Sequence, residues 1–118
     1  MAEPTIAQIF GTGATRLASG AAAPSAGLFI PDSALVSAGL ATPSTAKAEG
    51  HLVAVVLNAK TALTQTGFDA DTDQSVFVAS GSPYFTSRGT NNTSYRVDQF
   101  TFNLAQLDQL ATIDPDNY

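Results

Sequence analysis

Residues 27–40 read Gly-Leu-Phe-Ile-Pro-Asp-Ser-Ala-Leu-Val-Ser-Ala-Gly-Leu, and their punctuation constrains the chain more tightly than any other stretch. Pro31 has no N–H for a ladder, so Leu28–Ile30 is expected as a short strand that stops there. Asp32 or Ser33 is placed to cap the free amides of a short helix behind it. Gly39 suits the left-handed position that ends such a helix, and Leu40 is then expected to fold back onto Leu35, as in a Schellman ending. The stretch predicts a strand–turn–helix unit.

On either side the pattern changes. Residues 5–10 are β-branched and apolar, and they predict a short strand or an arm that docks elsewhere. Residues 11–27 are rich in Gly and Ala, hold Pro24 and carry no periodic apolar face, so they read as a loop or extended arm. A loop that long suggests a segment that leans on a partner, or a mobile linker. After the connector 41–47, the span 48–65 has Leu52, Val56, Ala59 and Leu63 on one helical stripe. Glu49 lies in the first turn, where it favours the dipole, and Gly67 is the expected end. A buried strand over 51–57 competes locally, but alanine and the stripe continue to Leu63, which favours helix.

The second half reads as strand. Residues 75–79 alternate, 84–87 are aromatic, and 95–104 are long and β-rich. Residues 88–94, with Asn91 and Asn92, have turn composition, so an antiparallel hairpin is expected. Tyr95 and Val97 share one parity and Phe100 and Phe102 the other. A bulge near Asp98 or Gln99, or cover on both faces, would reconcile them. Asn103 is then a candidate cap for a last helical turn bearing Leu104, Leu107 and Leu110. The fold class expected is α+β. The plan is one small domain over residues 1–118, with an arm or loop region at 1–27, a core at 28–110 and a tail at 111–118.

Composition narrows the function. The 118 residues include 20 Ala, 14 Thr, 10 Ser and 9 Gly, and only 13% are charged, about half the usual share. Catalytic and ligating side chains are correspondingly scarce. With no cysteine, a disulfide framework, a thiolate zinc site and a cysteine nucleophile are all excluded. The five basic residues, Arg16, Lys47, Lys60, Arg88 and Arg96, are scattered against ten acids, which argues against nucleic acid as a partner. The aromatics of the second half are accordingly read as sheet core rather than a base-stacking platform. The longest strongly apolar run, Leu52–Leu57, is far short of a membrane span. The N-terminus has Glu3 and no basic or long apolar region, so no secretory signal is read there, and synthesis in a reducing cytoplasm is expected.

Five groupings of residues are candidates for chemistry. Asp69, Asp71 and Asp73 stand at alternate positions like the start of a calcium loop. Gln74 then occupies the place of the turn glycine and Ser80 that of the bidentate acid, so a solvated loop is preferred. Gly11-Thr12-Gly13 begins like a dinucleotide fingerprint, but Arg16 replaces the third glycine. His51, the single histidine, has no recognisable nucleophile motif and is read as structural. Asn91 and Asn92 match glycosylation patterns, which without a secretory signal are turn residues. Asp98 and Asp108 have no spacing that unites them in one cleft. No catalytic residue, cofactor or metal is expected, and the chain is not read as an enzyme.

The segment 27–40, the alanine–valine helix after it and the ending Thr-Ile-Asp-Pro-Asp-Asn-Tyr resemble small proteins of tailed bacteriophages, cyanobacterial phages in particular. The size, the absence of cysteine and the charge-poor composition are similar to those of capsid cement or decoration proteins. That resemblance implies a structural protein of the virion, made in the host cytoplasm, with the major capsid protein or other virion proteins as partners and homo-oligomers expected. Ile6, Ile9, Phe10 and Tyr118 are then the natural clasps, and no membrane is involved. Two other readings stay open: a tail, connector or fibre component, and a cellular ligand-binding or adaptor domain using the loop 69–73.

Overall fold

The computed structural model describes residues 3–108 and 112–118. Among the described residues lie four helices, Ile6–Phe10 (α1), Asp32–Ser37 (α2), Ala48–Ala62 (α3) and Gln65–Ala70 (α4), and four strands, Val76–Ser80 (β1), Tyr84–Arg88 (β2), Thr93–Val97 (β3) and Phe100–Leu104 (β4). Short 3₁₀ turns lie at Pro43–Thr45 and Pro115–Asn117. The fold class is α+β. The chain divides into two compact units, Met1–Asn58 and Ala59–Tyr118, with the boundary inside α3. Among the described residues no helix is long and apolar enough to cross a membrane.

In the first unit, residues 6–10 form a helix rather than the strand their β-branched side chains suggest. A capping box decides it: Thr5 Oγ1 accepts from the N–H of Gln8 at 3.2 Å, and Gln8 Oε1 accepts from the N–H of Thr5 at 2.8 Å. Leu28–Ile30 likewise forms no strand, because no neighbouring strand offers it a ladder; it runs as irregular, exposed chain. Residues 11–30 contain no helix or strand, as their composition suggests.

Helix α2 starts one residue earlier than a side-chain cap would require. Pro31 is its N-cap, with no capping side chain, and neither Asp32 nor Ser33 fills that role. The Asp32 carboxylate is taken up elsewhere, by Arg16. The far end of α2 is a Schellman ending: the N–H of Gly39 donates to Val36 and that of Leu40 to Leu35, with Gly39 at φ +110°. Leu40 then lies over Gly50 of α3, where a β-carbon would sit 3.2 Å from its Cδ1. Asn58 Nδ2 donates to the carbonyl of Ala34 at 3.1 Å and ties α3 to α2 a second time.

Helix α3 forms over residues 48–62 and not to Gly67, which instead lies within α4. Its inward side is not the expected stripe. Ala48, His51 and Ala54 are buried, whereas Leu52 is exposed and Leu63 falls beyond the helix. Three- and four-residue spacing permits either side to face in. The small side chains let the neighbouring chain approach closely, and the polar atoms of His51 find partners there.

In the second unit, Thr64 Oγ1 caps α4 by accepting from Gly67. The side chain of Gln74 donates to the carbonyls of Thr64 at 2.8 Å and Val76 at 2.9 Å, fastening α4 to the start of β1. The strands make two antiparallel pairs, β1 with β4 and β2 with β3, the inner pair being the expected hairpin. Residues 95–104 are therefore two strands rather than one. The break at Asp98–Gln99 has the character of a bulge: Ser80 faces Phe100 and Tyr84 faces Val97, so residues 81–83 on one side oppose only Asp98 and Gln99 on the other. The N–H of Gly81 donates to the carbonyl of Gln99 at 2.8 Å across that step. It is what moves the aromatic residues from one parity to the other. Asn103 caps nothing, since it and Leu104 belong to β4. Leu107 lies outside any helix, and Leu110 lies outside the described residues.

Candidate functional site

The polar centre of the first unit is a cluster that joins three distant parts of the sequence. Arg16, in the irregular stretch after α1, forks onto Asp32 at the start of α2, with Nη2 at 2.7 and 2.8 Å from the two carboxylate oxygens. Its Nη1 lies 2.6 Å from Nε2 of His51. Nδ1 of His51 lies 2.9 Å from the carbonyl oxygen of Lys47, one helical turn earlier. A guanidinium only donates and a carbonyl only accepts, so the network itself assigns the ring: Nδ1 carries the hydrogen and Nε2 offers its lone pair to Arg16. His51 is 6% exposed, and both of its nitrogens are satisfied. It shares no hydrogen bond with a serine or threonine hydroxyl, so the geometry makes it a tether for Arg16.

A second tie holds the N-terminal end. Lys47 Nζ lies 3.0 Å from Glu3, and this carboxylate, by hydrogen bond first and by charge second, raises the lysine above its ordinary value. Both groups are well exposed, so the pair orients the segment more than it stabilises the unit.

The apolar surface is extensive. Ile6 and Ile9 are half-buried on one side of α1, with Phe10 exposed one turn from Ile6. Leu28 is 90% and Phe29 72% exposed, directly before the Pro31–Asp32 corner that Arg16 pins. A shallow apolar depression of about 240 Å³ lies against Leu40, Gly50, Val53 and Leu57. In the second unit, Phe85 is 73% exposed on one side of the inner hairpin, while Tyr84 and Tyr95 lie half-exposed on the other. The guanidinium of Arg88 stands 5.3 Å above the Tyr95 ring. Tyr118 follows the final 3₁₀ turn and is partly exposed.

The acidic loop does not form a cation cage. Asp69 lies near the end of α4, and Asp71 is its C-cap. The Asp71 carboxylate accepts from the N–H of Asp73 at 2.9 Å, a local turn bond. Among the described residues no three His, Asp or Glu side chains converge in a way that would hold a metal ion. The structure thus places Ile6, Ile9 and Phe10 together on α1 but gives the three aspartates no metal-holding arrangement. The Arg16–Asp32–His51 cluster was not foreseeable from spacing, because its members stand 16 and 35 residues apart. The exposure of Leu28 and Phe29 has one sequence signal, a β-forming triplet stopped by Pro31 with no obvious strand to pair.

Comparison of the chain with protein-family models, curated proteins and solved structures yields no match.

Proposed function

We propose that this chain is a non-enzymatic structural protein of a virion, a capsid cement or decoration protein that binds between subunits of the major capsid protein. The observation that carries the reading is how much of its apolar material lies outside. Only Leu35, Ala48, Ala54 and Val78 are buried hydrophobic residues among those described, whereas fifteen large hydrophobics are exposed. The accessible surface is 9098 Å², while two separate compact units of half the mass would expose about 7,300 Å² between them. A chain with so little buried within it gains by covering those side chains on a partner.

The scarcity of charge fits the same use, since interface cores are depleted in charged residues and enriched in aromatic ones. The α1 side chains and Leu28–Phe29 supply two clasps ahead of α2 in the sequence, and Tyr118 a further one. Many modest contacts repeated over a lattice would bind the assembled shell and stabilise it by linkage. The commitment of both His51 nitrogens to structural partners supports a role without catalysis. A tail, connector or fibre component is the second reading, favoured by the paired strands with their aromatic inner hairpin, which offer edges for ring formation.

Removal of residues 1–10 tests the clasp. Full-length chain should co-sediment with purified capsids and the truncated chain should be largely lost from them; equal occupancy by both would refute the assignment of α1 as a binding arm.

A further inference from the structure

We infer that Arg16, His51 and Asp32 form a proton-operated catch that holds the Ala14–Ala18 stretch against the first unit. The inference stands on the geometry of that unit and does not depend on the virion reading. His51 is buried, and its Nε2 is an acceptor only while the ring is neutral. A proton on Nε2 replaces the lone pair with an N–H that points at a guanidinium 2.6 Å away, which gives a missing hydrogen bond and two like charges at once.

The charged groups around the ring offer no relief. Asp32 is already engaged by both of its oxygens with Arg16. Lys47 contributes its carbonyl to Nδ1 and its ammonium to Glu3. Glu49 lies in the same first turn of α3, with no hydrogen bond to the ring. Arg16 is the part that can move. It stands in irregular chain, where Ala14, Arg16 and Leu17 alone are half-covered between exposed neighbours. Protonation of His51 therefore expels Arg16 and frees the stretch that carries it, just upstream of the exposed Leu28–Phe29.

The test is NMR on the labelled full-length chain at about pH 8 and about pH 5. At the higher pH, Nε2 should show the nitrogen shift of an unprotonated acceptor and the Ala14–Ala18 amides should be rigid. Where the spectra show both ring nitrogens protonated, the order parameters of those amides should fall from about 0.85 to below about 0.6. In His51→Gln, whose side-chain oxygen accepts a hydrogen bond without titrating, the same amides should keep their order at both values. Arg16→Gln is the independent control and should leave the stretch mobile at both. The proposal is overturned if His51 stays neutral throughout or gains its proton with Ala14–Ala18 unchanged. It is overturned equally if His51→Gln loses order to the same extent, or if Arg16→Gln is as rigid as the parent at the higher pH.

Discussion

Phe68 of α4 and Phe77 of β1 meet with ring centroids 4.9 Å apart and planes inclined at 53°, a tilted aromatic pair that joins helix to strand in the second unit. The two residues are separated by the acidic loop, and the Gln74 side chain closes that loop from beneath with its bonds to Thr64 and Val76. Since Val78 is the one buried hydrophobic residue of this unit among those described, the aromatic pair contributes a large share of its packing.

Replacing Phe77 by Ala should therefore destabilise the chain by about 2 kcal/mol, less than for a fully buried ring because Phe77 is only partly covered. Urea unfolding followed by circular dichroism reads this directly. A loss below about 0.5 kcal/mol, the level of an ordinary surface change, would remove the pair from the account.

Gly39 holds φ +110° at the end of α2, with open space where a side chain would stand. Gly39→Ala tests the backbone alone, since nothing collides with the new methyl. It should cost about 1–2 kcal/mol, the penalty of a left-handed conformation for a residue with a β-carbon. Thermal unfolding of the variant beside Gly50→Ala, which instead crowds Leu40, separates conformational strain from packing.

Leu28 and Phe29 contribute little to the free chain, given their exposure. The double change Leu28→Ser with Phe29→Ser should alter stability by no more than about 0.5 kcal/mol. It should nonetheless reduce binding to capsids, measured by co-sedimentation at matched concentrations. Undiminished binding would take this segment out of the interface.

Lys47 is held above its ordinary value of 10.5 by Glu3. The sign follows from the pairing: the contribution of the ion pair is fully present below that ordinary value and is lost as pH rises through the raised one. Glu3→Gln should bring the lysine titration midpoint down, observed by NMR at the carbon bearing the ammonium. An unmoved midpoint would mean that the pair does not persist in solution.

Much of the local plan was legible. Gly39 followed by Leu40 announces the Schellman ending, the alanine-rich run announces α3, and the parity change between Val97 and Phe100 announces a break that the pairing registers bear out. Helix α1 was not read from the sequence: β-branched side chains carry the opposite local preference, and the Thr5–Gln8 capping box outweighs them. Leu28–Ile30 has the propensity of a strand without a partner, and propensity alone makes no sheet. What spacing does not reveal is which side of α3 turns inward. That depends on Arg16 reaching His51 from 35 residues away, a contact set by tertiary packing.

The proposed role of this chain is that of a structural component of a viral shell. Absolute quantitation by mass spectrometry, in gradient-purified particles from the lysate that contains it, tests that role. The chain should be found in the particles in stoichiometric proportion to the major capsid protein. Its absence from particles, with free chain remaining in the lysate, would contradict it.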